Sequence, residues 1–324
     1  MALKKRWWAI IGLVVICVVA GSLLMRPSRP GLTYQGKTVE EWSVQLYLSQ
    51  DESGRNTASA ALKELGPKAI PDITEMLHRK DPFIRHQVWS SAPKLPAEIR
   101  KGVLSNVKPE RAGLVHIAAM RAIAAIGPEA VSTIPELSRI LQSKDLQESW
   151  EAGYALGALG PEAVRVLIAA LHSEYPAVMQ AAMAGLKQIG PAAGQAVPGM
   201  IEKLGHHDPA VRQWAVAALG GIGQPAVPQL LEIVEHGNGE LRRGAAQALA
   251  LILPSRRKLI PALLQMLKDE DPASRVQAIV SLTAINGSDQ PALGAITDAL
   301  QDGDASVREA ATNALAKLQP KAGL

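Results

Sequence analysis

Apolar residues along most of this chain recur at intervals of three and four, in short runs that restart after proline or glycine. In the stretch 208–237, DPAVRQWAVAALGGIGQPAVPQLLEIVEHG, Val211, Ala215, Leu219 and Ile222 fall on one helical face. Asp208 suits an N-cap, because its carboxylate accepts from the orphan amides of the first turn. Pro209 suits the first helical position, where a missing N–H costs nothing. Gly223 offers a stop. Pro225 and Pro228 mark a turn, and Pro228-Gln-Leu-Leu-Glu-Ile-Val-Glu opens a second amphipathic helix that ends at Gly237. The pattern predicts two paired helices.

The unit recurs, with starts at Asp51, Asp81, Ala112, Asp145, Tyr175, Asp208, Asn238, Asp271 and Asp304. Four residues on, the column reads Arg55, Arg85, His116, Ser149, Met179, Arg212, Arg242, Arg275 and Arg308. Intervals are about 30 or 33 residues, a length typical of repeat arrays. Where the interval is longer, the second proline of the turn stands later (Pro135, Pro198 and Pro261 against Pro71 and Pro228), which places the extra residues between the paired helices. A single pair buries too few aliphatic side chains to offset the conformational entropy of ordering it. Neighbouring pairs must share their apolar faces, and an all-α stacked solenoid is the expected result.

The pattern D-P-x-[VI]-R-x-x-A-x-x-A-L-x-x-[IL]-G-P-x-A resembles the short bacterial HEAT-like repeat, the type also found in phycobilisome lyases. Asp208-Pro-Ala-Val-Arg212 and Asp271-Pro-Ala-Ser-Arg275 carry the resemblance, as do Gly66-Pro67, Gly127-Pro128, Gly160-Pro161 and Gly190-Pro191. It covers residues 51–318. It implies a right-handed HEAT-like α-solenoid and a role in protein–protein interaction on the concave face of the second helices. A bilin-lyase-like enzyme and a purely structural envelope component are the alternatives it leaves open, because such repeats host unrelated functions.

Three segments follow from the pattern. Residues 1–30 read as a signal anchor: Lys4-Lys5-Arg6 precedes a run from Trp7 to Met25 of 19 residues without charge or proline, long enough as a helix to cross a bilayer. Cleavage after Ala20 would instead release the chain. Within residues 31–50, a Pro- and Gly-rich linker that begins at 26 runs to 36, where regular structure is not expected. Thr38-Val-Glu-Glu41 is then a capping-box pattern, and Val39, Trp42 and Leu46 stripe a helix over 38–48 that would cap the first repeat. This opening resembles the Gly-Lys-Thr-Val-x-x-Trp start of exported bacterial HEAT-repeat proteins. Residues 51–324 form the solenoid. Its Asp81 unit is irregular, with Phe83, Trp89, Pro93 and Pro96, and reads either as a specialised surface or as drift. The unit at Asp304 holds only a first helix, and Val307, Ala311, Leu315 and Leu318 line its apolar face.

Charge alters the picture in one respect. The formal net charge is +4, but Lys4, Lys5, Arg6, Arg26 and Arg29 all precede the first acidic residue, Glu40. The 34 Lys and Arg less those five leave 29 against 30 acidic residues, so the repeats are nearly neutral and do not favour a nucleic-acid backbone. The bacterial inner membrane, with the solenoid on the periplasmic side, is the expected location.

Candidate chemistry is sparse. Cys17 is the one cysteine, which precludes a disulfide within the chain and a thiolate metal site. The Arg column is expected to form a structural ladder with helix-start Asp side chains and carbonyls. HEAT-repeat di-iron hydroxylases carry repeated His-Glu dipeptides; here the seven histidines precede Arg, Gln, Ile, Ser, His, Asp and Gly. His206-His207-Asp208 is the nearest metal-like cluster, and Asp208 is expected to be occupied as a cap. Gly220-Gly-Ile-Gly223 reads as a helix terminus, and Asn286-Gly-Ser288 as a repeat turn. No catalytic, cofactor-binding or metal residue is assigned, no cofactor is expected, and a protein partner is.

Overall fold

The computed structural model describes residues 31–79, 112–252, 256–284 and 290–318. The expected anchor over 7–25, the Asp81 unit and Asn286–Ser288 lie outside those residues. The chain first makes a small hairpin, β1 (Thr33–Tyr34) antiparallel to β2 (Lys37–Thr38), where a structureless linker was expected. The reason is local. Gln35 and Gly36 both take positive φ, 49° and 77°, which matches the twist of a tight two-residue turn. Trp42 locks the hairpin by donating its indole N–H to the Tyr34 carbonyl at 2.9 Å, and the Leu32 amide donates to Asp72 Oδ2 at 2.8 Å.

Helix α1 (Val39–Leu48) starts at the expected capping box: the Glu41 amide donates to Thr38 Oγ1 at 3.2 Å and the Thr38 amide to Glu41 Oε2 at 2.8 Å. The helix pairs follow: α2 (Glu52–Leu65) with α3 (Ile70–His78), α4 (Ala112–Ile126) with α5 (Ile134–Leu141), α6 (Leu146–Leu159) with α7 (Val164–Ala170), and α8 (Pro176–Ile189) with α9 (Val197–Lys203). They continue as α10 (Pro209–Ile222) with α11 (Val227–His236), α12 (Gly239–Leu251) with α13 (Arg256–Met266), and α14 (Pro272–Ala284) with α15 (Gln290–Asp298). α16 (Ala305–Leu318) packs on α14 and α15. Even-numbered helices form one layer and odd-numbered helices from α3 onward the other. α1 does not simply cover the first repeat. It packs against α2, α3 and α4 together, and α4 also packs directly on α2 and α3.

Sequence punctuation sets each pair. Five of the first helices end at a glycine of positive φ, as at Gly160 (84°) and Gly223 (74°), a conformation that a side chain would strain. The Gly-Pro turns that follow are short 3-10 segments. They span seven residues at Gly127–Thr133 and Gly190–Ala196, where the repeat interval is 33, and three at Pro161–Ala163 and Gln224–Ala226, where it is 30. The extra residues therefore sit in the turn, as the proline positions imply.

The core runs between the layers. Val211, Ala215, Leu219 and Ile222 are fully buried, and so are Leu156, Leu167, Leu186 and Leu230. The even layer is the tighter one, because its helices meet through glycine and alanine. A Cβ placed on Gly153 would lie 2.4 Å from the Ala181 carbonyl oxygen, and one on Gly185 would lie 2.6 Å from the Gly153 oxygen. The odd helices touch one another far less. The most apolar described stretch, 113–141, is long enough to cross a membrane but is largely buried within the stack as α4, its turn and α5.

Candidate interaction surface

Most of the described repeat starts are built by the same few side chains, Tyr175 being a start whose side chain makes no cap bond. The N-cap accepts backbone amides: Asp145 from Gln147 and Glu148 (2.8 and 3.1 Å), Asp208 from Ala210 (2.8 Å) and Asp271 from Ala273 (3.1 Å). Two residues earlier, Ser143, Ser173, His206, Asp269 and Asp302 accept from the cap's own amide. The column arginine then reaches back to the loop. Arg212 Nη1 donates to the His206 and His207 carbonyls at 2.6 and 3.0 Å, and Arg275 Nη1 to those of Asp269 and Glu270 at 2.8 and 3.1 Å. Arg55 and Arg308 repeat the arrangement.

The ladder is thus structural, as expected, but its acidic partners differ from those expected. The cap residue four back accepts amides of its own helix, and the arginine pairs forward with an acid within two residues of the next repeat start. Arg275 grips Asp302 through two bonds of 2.9 and 2.8 Å, Arg242 meets Asp269 at 2.8 Å, and Arg212 meets Glu240 at 3.3 Å. The bond from Arg275 holds the Asp302 carboxyl below its ordinary pKa. His116 makes the same two kinds of contact, to the Arg79 carbonyl at 2.7 Å and to Glu148 at 2.8 Å.

The His206–His207 rings lie 4.2 Å apart, and Asp208 is turned to the Ala210 amide. His206 accepts the Asp208 amide proton on Nδ1 at 3.1 Å; burial, then the neighbouring His207, lowers its pKa. Among the described residues no three His, Cys, Asp or Glu side chains converge as a metal set. Gly223 ends α10, and Gly221 lies against Lys187 of α8, so this glycine group serves helix packing.

One surface stands apart from the ladder, and the sequence reading passed over it. On α6, Leu146, Trp150 and Tyr154 follow at steps of four and are 69%, 38% and 50% exposed. Their ridge borders a groove of about 540 Å³ floored by α4 and walled by α1, α2 and α6. Trp150 meets Trp214 edge to face across α8, with centroids 5.1 Å apart. Tyr47 of α1 lies under the Arg121 guanidinium, 4.8 Å from ring centre to Cζ, and accepts from Gln147 at 3.3 Å. Tyr34 and Trp42 serve the hairpin. Every other described aromatic residue lies in or beside this zone (Tyr47, Trp150, Tyr154, Trp214) or at the start of α8 (Tyr175), and none follows Trp214 in the sequence. A signal was available: with the repeats in register, the Trp150 column reads Asn56, His86, Ile117, Gln180, Gln213, Arg243, Val276 and Glu309 in the other units, so none of them carries Trp, Tyr or Phe there. Leu146, Trp150 and Tyr154 have helical spacing but are out of phase with the buried stripe.

Residues 164–250 and 227–316 match the family model for HEAT repeats. No curated protein sequence matches the chain. Among solved structures, the chain is similar to a designed armadillo repeat protein, at 20% identity over 57% of this chain and 100% of the other, with a TM-score of 0.31. It is similar to Kap121p in its complex with Nup53p, at 12% identity over 86% of this chain and 37% of the other, with a TM-score of 0.46. Human deoxyhypusine hydroxylase matches at 20% identity over 78% of this chain and 96% of the other, with a TM-score of 0.30. The chain thus spans well under half the length of Kap121p.

Proposed function

From a solenoid of HEAT repeats, we propose that the protein is a non-enzymatic, membrane-anchored scaffold that holds a protein partner on its even-helix layer. The observation that carries this is the exposed ridge of Leu146, Trp150 and Tyr154 beside the groove. Large aromatic side chains bring much contact area at little entropic cost, and they dominate interface energetics. No other unit carries Trp, Tyr or Phe at the positions equivalent to Trp150 and Tyr154. This supports a docking face on the first helices of the repeats in place of the second. A photo-crosslinking amino acid installed at position 150 in the native host tests the reading. A discrete protein adduct at 150, absent when the probe stands at Glu232 on α11, is the expected result. No adduct, or the same adducts from both positions, would sink it.

The anchor and the location belong to the same proposal. The uncharged run from Trp7 to Met25 supports a single membrane-spanning helix, and Lys4-Lys5-Arg6 supports retention of the N-terminus inside a bacterial cell, with the solenoid in the periplasm. A phosphatase reporter fused after Leu324 should be active and a cytoplasmic fluorescent reporter dark. The reverse pattern would invert the topology. Full release into the soluble periplasmic fraction would replace the anchor with cleavage.

A further inference from the structure

Arg55, Lys63 and Arg121 converge on the groove against a single carboxylate, Glu151. Arg121 and Glu151 neutralise each other: the bonds are 2.7 and 3.1 Å, and the Glu151 side chain is only 9% exposed. Arg55 donates through Nη1 to the carbonyls of Ser49 and Gln50, and among the described residues no ion pair engages it. Lys63 is exposed, and among the described residues no ion pair engages it. Two positive charges therefore stand beside Trp150 and Tyr154, in a chain whose repeats are close to neutral.

We infer that the groove takes an acidic peptide segment of the partner protein. Its carboxylates meet Arg55 and Lys63, and an adjoining apolar side chain lies on Trp150 and Tyr154. The inference rests on the even-layer docking face proposed above. A nucleic acid fits less well, because the apolar strip continues to Leu146 and Trp214, while among the described residues the groove offers two cations outside an ion pair, too few to follow a phosphate backbone. Opposite charge across such a rim sets the encounter rate and the choice of partner, and the aromatic contact sets the lifetime.

The test is random-peptide display on the full-length chain, followed by binding of the recovered peptides to variants checked for unchanged helicity and thermal midpoint. Recovered sequences should be rich in Asp and Glu and carry at least one large apolar residue. Their binding should weaken roughly tenfold in Lys63→Glu and in Trp150→Ala, persist in Lys63→Arg, and fall with added salt. A neutral or basic pool that is lost in Trp150→Ala but indifferent to Lys63→Glu would overturn the acidic peptide and leave the docking face standing. Failure to recover any peptide, or indifference to Trp150→Ala, would remove both. Displacement by oligothymidine would assign the groove to nucleic acid.

Discussion

Arg275 carries more of a repeat junction than one charge pair would. Its Nη1 closes two loop carbonyls, while its other two nitrogens hold Asp302 at the entrance to the next unit, and its side chain is 15% exposed. Truncation leaves carbonyls and a carboxylate without their donor, so Arg275→Ala should destabilise the chain by about 1.5–3 kcal/mol. Arg275→Lys should recover little of this, since an ammonium cannot reproduce the planar fork. Urea midpoints of the three proteins check both statements. Gly153 gives a second prediction. Alanine in an open helix gains roughly 1 kcal/mol over glycine, whereas here its Cβ would enter the Ala181 carbonyl and cost about 1–3 kcal/mol. Gly153→Ala should therefore lower the thermal midpoint. Gly294→Ala, where a Cβ meets nothing within 4 Å, should raise it. Equal shifts in the two variants would refute the close approach of α6 and α8. At this scale the sequence revealed the caps and the arginine column. It did not show which acid each arginine meets, because that partner lies about one repeat away and only stacking brings it near.

The helix pairs were legible as elements. The starts expected at Asp51, Asp145, Tyr175, Asp208 and Asn238 are the observed N-caps, and the stops at Gly66, Gly160, Gly190 and Gly223 are the observed ends. The physical reason is that caps and positive-φ glycines act within one turn of chain. The apolar face of α16 is also where the spacing puts it: Val307 and Ala311 are buried, Leu315 and Leu318 are half-buried against the core, and Leu318 borders a groove of about 570 Å³ against α14. Amide exchange in α16 should therefore be faster than in α10 and α11, whose neighbours pack on both sides. Equal protection, measured by hydrogen–deuterium exchange mass spectrometry, would show that the far face of α16 is covered.

Over the whole molecule, acidic side chains link successive repeats and cap their helices, and this gives the stack a pH dependence. A hydrogen bond from Arg275 lowers the pKa of Asp302, bonds from Ser306 lower that of Asp304, and a bond from Arg139 lowers that of Glu136. A carboxyl whose folded-state pKa lies below its unfolded value stabilises fully above the unfolded value, about 4, and loses that contribution as pH falls through the folded one. The thermal midpoint should hold between pH 7 and about 5 and drop below about 4. A midpoint that did not fall on acidification would mean that these bonds carry no net stability. Local chemistry determined the periodicity, the caps, the stops and hence the HEAT-like solenoid, because each of those signals is complete within about one repeat of chain. Tertiary structure alone decided that α1 packs between α2 and α4, and that arginines reach forward to the next unit. It alone decided that Leu146, Trp150 and Tyr154 face outward, and that Trp150 and Tyr154 share a groove with Arg55 and Lys63. Those facts depend on which helices become neighbours, and a side chain's exposure is set by the element that does or does not cover it.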